Sequence, residues 1–333
     1  MQHRKQFVKV FLSGEKSCKF YVCLHCVPGL TAKRDAFVEM AYDKVHTLLS
    51  LMMHIPFFGF IVSLLYKRKY PSLQREVCGI TFPNPLGLGG GVDINGEYFN
   101  RIADAGFGCV EFGSVTPRPQ EGRLPNKGLK YALNMLRKNH PKAIIGANIC
   151  KNTNTSSTDA PMDYERCLAL LYDLVDMFIV NISSPTSSSI YELQEIDNLA
   201  EIVDKLLSMR MYFNEYRPIF IKISPDNTRQ QLDDIVDYCL RSGVDGIVAC
   251  NLSRDGSQEE LFQKSLKTVK YIKEKSRGLL PIIGSGGIRT PEQALEMLES
   301  GASLIEICTA FVTEGPSLVR KTLKYLDSKS RKQ

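Results

Sequence analysis

Eight short apolar runs, each closing on or beside a glycine, asparagine, serine or threonine, constrain this chain more than any other feature. They read NPLGLGG (84–90), CVEFGS (109–114), AIIGANI (143–149), MFIVNIS (177–183), PIFIKIS (218–224), GIVACN (246–251), PIIGSGG (281–287) and SLIEICT (303–309). Longer amphipathic stretches separate them, among them 163–175, 191–209, 228–241, 258–276 and 291–299. Strands that are apolar almost throughout, alternating with helices, make a parallel sheet covered on both faces. Thr290 followed by Pro291 is the expected N-cap and first turn of the last of these helices.

Eight such units over about 250 residues fit an α/β TIM (β/α)8 barrel. A doubly wound open sheet is the rival arrangement. It more often shows a GxGxxG turn after its first strand, which GLGGGVD (87–93) matches poorly. A barrel places its chemistry at the C-terminal ends of the strands. Those ends carry Asn148, Asn181, Ser183, Ser184, Lys222, Asn251, Gly286, Gly287 and Thr309.

The 333 residues are 44% apolar and 23% charged, a globular composition with a net charge of only +6. No zinc-finger spacing and no basic stripe interleaved with aromatics points to nucleic acid. Basic residues gather in YKRKY (66–70) and KSRKQ (329–333). The first of these follows an apolar run at 48–66 that is long enough for a membrane span but is interrupted by His54, Pro56 and Gly59. Proline should divide the run into two shorter helices. The expectation for 46–70 is a helical hairpin lying in the membrane interface; a true span and a soluble core helix are the other readings. The implied organisation is an N-terminal extension (1–40), a helical membrane segment (41–72) and a barrel (73–333). No secretory signal is evident at the start.

Ten cysteines show no disulfide framework, and reduced thiols on a cytoplasm-facing chain fit them best. CLHC (23–26) has no second CxxC to complete a metal site, so no metal is expected. Cys250 and Cys308 read as small buried hydrophobes.

Lys222 stands at a strand end. Such a lysine is often only a salt-bridge partner; its functional reading is a cation beside an electron-rich ring, where it stabilises charge that builds up on reduction. GSGGI (284–288) before a helix is an anion cradle of exposed backbone N–H groups, and after the seventh strand of a barrel it is the usual phosphate site. NISSPTSSS (181–189) ends the fourth strand in hydroxyls. None of the five histidines lies at a strand end, which speaks against Ser–His hydrolysis.

Together these pieces resemble the dihydroorotate dehydrogenase family, in particular its membrane-associated, quinone-using class. The resemblance rests on GITFPNPLGLGGGVDINGE (79–97), GFGCVEFGSVTPRPQEG (106–122), GANICKN (146–152), VNISSP (180–185), IKISPD (221–226), DGIVACN (245–251), PIIGSGGI (281–288) and GASLIEICTAFVTEGP (301–316). It extends to VHTLLSLMMHIPFFG (45–59), which is similar to the family's two-helix quinone tunnel. It implies FMN held by Gly91, Ser114, Asn148, Asn181, Lys222, Gly286, Gly287 and Thr309, with Asn181 and Asn251 facing the substrate. It also implies Ser184 as the base that removes a proton from C5 of dihydroorotate while C6 delivers hydride to the flavin. Electrons would pass to a quinone, in pyrimidine biosynthesis, at a cytoplasm-facing or mitochondrial inner membrane.

The chain departs from the family where the substrate binds. Ile94 stands where the family has the lysine that meets the substrate carboxylate. Thr186 and Leu252 stand where Asn and Thr are expected. The stretch 123–142 is shorter than the family's and has no Asn-Arg-x-Gly-Phe loop, and a Gly-Gly-Leu-Ser-Gly segment is absent after 249–256. Burying a carboxylate without its cation costs several kcal/mol. A substrate-shifted or non-catalytic FMN-barrel relative that acts as a binding protein is therefore the alternative reading.

Overall fold

A computed structural model describes residues 58–121, 125–183, 190, 192–253 and 257–331. The N-terminal extension, CLHC and residues 46–57 of the expected hairpin lie outside them, as do Ser184 and Thr186. The described chain opens with α1 (Phe58–Tyr66), β1 (Arg75–Val77) and β2 (Ile80–Phe82). There follow β3 (Leu86–Leu88), α2 (Phe99–Ala103), β4 (Cys109–Val115), α3 (Gly128–Asn139), β5 (Ile144–Ile149), α4 (Ala160–Leu171), β6 (Met177–Asn181) and α5 (Ile196–Arg210). The second half holds β7 (Ile219–Ile223), α6 (Arg229–Ser242), β8 (Gly246–Ala249), α7 (Gln258–Lys275), β9 (Ile282–Ser285), α8 (Pro291–Glu299), β10 (Leu304–Ile307), α9 (Thr309–Glu314) and α10 (Pro316–Ser330).

Strands β3 to β10 are parallel and close on themselves, with β10 pairing to β3 through Glu306 opposite Gly87. All eight apolar runs are barrel strands. The expected helix over 163–175 begins three residues early, at Ala160, and ends in a 3-10 turn at Tyr172–Leu174. The one over 191–209 begins with a 3-10 turn at Glu192–Gln194. Local chemistry sets the other starts. Thr290 accepts the Gln293 N–H, as expected from Thr-Pro. Thr228 with Gln231 and Ser257 with Glu260 form capping boxes at the starts of α6 and α7.

Alternation along the strands sorts the side chains into two cores. Outward residues such as Val110, Phe112, Val180, Ile221, Ile247 and Ile305 pack under the helices. Inward residues Cys109, Ile179, Phe220, Val248, Ile283 and Leu304 fill the barrel. Val77 and Phe82 join this inner cluster from the β1–β2 hairpin, which closes the N-terminal end. Its two-residue turn, Cys78–Gly79, has both φ angles positive (50° and 78°), the primed geometry that suits a tight hairpin. Each fully buried phenylalanine contributes about 1.5–3 kcal/mol.

Helix α1 packs on α10, where Arg320 Nη1 donates to Leu65 O at 3.0 Å. Val62 is buried, but Phe60 (67%), Ile61, Leu64 and Leu65 are exposed, and Lys67, Arg68 and Lys69 follow directly. Among the described residues, no helix is long and apolar enough to cross a membrane.

Candidate active site

Two residues further along five of the barrel strands, the inward positions turn polar. Cys109 gives way to Glu111, Gly146 to Asn148, Ile179 to Asn181, Phe220 to Lys222 and Leu304 to Glu306. None of these five polar residues is more than 6% exposed. Buried polar groups need partners, and here they find one another across the barrel.

The bonds run in one direction. Asn251 Nδ2 donates to Asn181 Oδ1 at 3.4 Å and to Ser183 Oγ at 3.1 Å. Asn181 Nδ2 donates to Ser114 Oγ at 2.8 Å, and Ser114 Oγ–H in turn donates to Asn148 Oδ1. Asn148 Nδ2 donates to Glu111 Oε1. From the other side, Lys222 Nζ reaches Glu111 Oε1 at 3.0 Å and Oε2 at 3.2 Å, and Glu306 Oε2 at 3.4 Å. Every amide in the series is thereby oriented toward one carboxylate. Tyr164, buried behind β6, donates to Asn181 O at 2.8 Å and steadies that strand end.

Charge follows from burial. Burial alone would lower the Lys222 ammonium, but Glu111 and Glu306 hold it above its ordinary value. Burial works to raise Glu111, yet Lys222 and the bonds from Glu306 and Asn148 keep it below the usual carboxylate range. Glu306 is pushed up by burial first and by Glu111 second.

The backbone above this layer is bare. Gly89 and Gly90 follow β3, and a Cβ on Gly90 would stand 2.6 Å from Glu111 Oε1 and 3.0 Å from Asn148 Nδ2. Gly91 N–H donates to Gly113 O at 2.8 Å, and Gly113 N–H donates to Asp93 O at 2.9 Å, which pins the loop over β4. Asp93 accepts the Glu97 and Tyr98 N–H groups, both at 2.8 Å. Its carboxyl is nonetheless pushed up to about 6 by burial.

Across the mouth, Gly286 and Gly287 leave β9 with φ of 99° and 76°, backbone that only glycine adopts freely. A Cβ on Gly287 would overlap Phe262 N at 2.4 Å. Behind Gly286 lies the buried Ser265 Oγ, 2.5 Å from where a Cβ on that glycine would stand. Thr309 opens α9 beside them, after the neighbouring strand β10.

Of the residues marked from the sequence, Ser114, Asn148, Asn181, Lys222 and Asn251 thus share one hydrogen-bonded series. Gly91 lies over it, and Gly286, Gly287 and Thr309 leave adjacent strands. Lys222 is the salt-bridge partner of Glu111 and Glu306. Ser184 lies outside the described residues. One correction concerns Cys308: it is half-buried rather than buried, because it stands past the end of β10, where its Sγ lies 3.6 Å from Gly90 O.

Sequence reasoning missed Glu111 and Glu306, although a lone charge inside an apolar run is itself a signal. It also missed Asn126, whose Nδ2 donates to Ser114 O at 2.9 Å and Thr116 Oγ1 at 3.0 Å. Ile94 lines a cavity of about 210 Å³ with Asp93, Asn95, Glu97, Tyr98, Pro125 and Lys127. The cation in that cavity, Lys127, is bound by Glu97 at 2.7 Å. It is not an unpaired substitute for the lysine expected at 94. Leu252 is 48% exposed beside Asn251.

The family model described as dihydroorotate dehydrogenase matches residues 72–329. A dihydroorotate dehydrogenase (quinone) of Christiangramia forsetii is 35% identical over 288 residues, covering 77% of this chain and 84% of that protein. One from Haemophilus influenzae is 32% identical over 324 residues, covering 86% and 95%. The crystal structure of the Eimeria tenella DHODH in complex with ferulenol superposes with a TM-score of 0.76 at 26% identity, over 86% of this chain and 90% of that one. The chain belongs to the dihydroorotate dehydrogenase family.

Proposed function

We propose that this protein is an FMN-dependent oxidoreductase that oxidises dihydroorotate, or a close and less anionic ring, and passes the electrons to a quinone. The observation that supports this best is the oriented series Asn251–Asn181–Ser114–Asn148–Glu111–Lys222, which lies under bare glycine backbone in a chain whose relatives carry the quinone-dependent name.

The residues fit FMN. The Gly89–Gly91 backbone lies flush on the polar layer, with no room for a Cβ at Gly90. The left-handed glycines Gly286 and Gly287, with Thr309, would receive the phosphate. Lys222, Asn148, Ser114 and Gly91 would hold the ring, and Asn181 would lie between ring and substrate. When bound, FMN supplies the two-electron acceptor. Lys222, itself only 4% exposed, would then place a positive charge near where negative charge grows, acting at low dielectric. Asn181 and Asn251 present oriented amides to a planar substrate. Ser184 would take the substrate's proton at its Oγ. With Ile94 in place of a cation, a carboxylate would be held by amides alone, which favours a weakly bound or less anionic substrate.

Helix α1 would rest on an anionic membrane, its exposed Phe60, Ile61, Leu64 and Leu65 in the lipid interface and Lys67, Arg68 and Lys69 at the headgroups. Quinone would enter from that side.

An anaerobic absorbance spectrum, taken before and after addition of dihydroorotate, tests the reading. Flavin bands that bleach support it. Bands that persist shift the substrate to another ring. A colourless protein that takes up no added FMN refutes it.

A further inference from the structure

Lys222 has a role toward the flavin, whereas Glu306, paired to the same ammonium, has none assigned by that chemistry. Lys222, Glu111 and Glu306 are 4%, 0% and 2% exposed, and the single ammonium faces both carboxyl groups. Three full charges in that space would leave a net buried negative charge. Glu111 satisfies both oxygens: Lys222 reaches each, and Asn148 reaches one. Glu306 does not, because its Oε1 is buried with no hydrogen-bond partner among the described residues. An ionised oxygen in that position would lose its hydration for nothing, whereas a neutral acid loses much less. The two carboxyl groups also share that one ammonium, at 3.0 and 3.4 Å. Two carboxylates sharing a site repel unless one keeps a proton.

We propose that Glu306 is a positioning residue of the flavin site that holds a proton in the resting protein, so that the ammonium of Lys222 is offset by one carboxylate rather than two. The proposal rests on the FMN reading for its function and on the geometry alone for the proton. The groups that face Glu306 among the described residues are few. Glu111 and Cys109 come from β4 and Lys222 from β7, with Cys308 beside Lys222 past the end of β10; β3 offers only glycines, Gly87 and Gly89. Glu111 opposes ionisation of Glu306, Lys222 favours it, and Cys109, its thiol pushed up by burial, stays neutral. With Glu306 neutral, the cluster of Lys222, Glu111 and Glu306 sums to zero. With Glu306 ionised it sums to minus one, and the site repels the electron-rich reduced flavin.

Two measurements on the purified protein decide this. Infrared spectra should show the carbonyl band of a protonated carboxylic acid at about neutral pH, absent from Glu306→Gln and lost as the pH is raised. A missing band, or one that survives in the variant, overturns the proton assignment. Affinities for oxidised and reduced FMN are then measured across about pH 6.5 to 9. The ratio of wild-type to E306Q affinity for reduced FMN should be near one at the acid end and fall several-fold at the alkaline end. A ratio that is flat with pH, or a variant already weak at the acid end, overturns the positioning role. If neither protein binds FMN, the functional reading fails and takes the positioning role with it, while the infrared band still decides the proton.

Discussion

Removing the two glutamates singly and together gives the most direct test of the buried cluster, and its result is calculable. Glu306→Gln replaces a neutral acid by a neutral amide of the same size, so its cost at neutral pH should stay below about 1 kcal/mol. Glu111→Gln does more. Glu111 Oε1 accepts from Lys222 at 3.0 Å and from Asn148, and an amide there accepts without charge and turns its NH2 toward Lys222, which lies 3.2 Å from Oε2. A hydrogen bond to a charged group is worth about 1.5–3 kcal/mol against about 0.5–1.5 for a neutral one. Glu306, 3.4 Å from Lys222, can ionise and keep the ammonium paired. The expected cost is therefore about 2 kcal/mol. In the double variant no carboxylate remains, and an uncompensated buried charge costs about 3–5 kcal/mol. The double variant should thus exceed the sum of the singles by about 1–2 kcal/mol. Reversible urea unfolding of the four proteins at neutral pH measures this. If the costs add within about 0.5 kcal/mol, the carboxylates do not share the lysine. If E306Q costs as much as E111Q, Glu306 is not neutral.

Three other outcomes follow from the geometry. Ile94→Lys should raise turnover of dihydroorotate or tighten its binding, measured by steady-state kinetics; an unchanged KM would show that the carboxylate is held elsewhere. Gly90→Ala should cost about 1–3 kcal/mol and weaken FMN, because its Cβ meets Glu111 and Asn148 at 2.6 and 3.0 Å. Wild-type stability and affinity in a flavin titration would refute that contact. The third concerns Asp93, whose folded value, about 6, lies above its ordinary 3.8. A raised folded value gives stability that is full below the unfolded value and is lost as pH rises through the folded one. The melting-temperature penalty of Asp93→Ala should therefore be larger at about pH 5 than at about pH 7; the reverse order would contradict the burial argument.

Much of the barrel was legible because a parallel strand writes itself as a short apolar word with a polar exit. Lys222, Asn148 and Asn181 were legible for the same reason: each interrupts or ends such a word. Thr290–Pro291 was legible because capping is local. What the sequence hid is what depends on distant partners. Glu111 and Glu306 sit mid-word, and only closure of the barrel shows that they meet across Lys222. Asn126 belongs to a connection, and its inward turn depends on Ser114 and Thr116 rather than on its neighbours. The β1–β2 hairpin escaped notice because its strands are three residues long and its turn asks Cys78 to take a left-handed backbone. Cys308 looked like core because composition does not show where a strand ends.

The cluster also ties chemistry to the order in which the chain is made. Glu111 precedes Lys222 by 111 residues, and Glu306 follows Lys222 by 84. During synthesis the first carboxylate waits for its ammonium, and the second arrives only with the last strand. Until β10 docks between β9 and β3, the layer stays wet and both carboxylates can ionise freely. Contacts this distant in sequence form late. Sealing the barrel and taking up one proton are therefore a single event, so the rate of that final docking depends on the acidity of the compartment in which the chain folds.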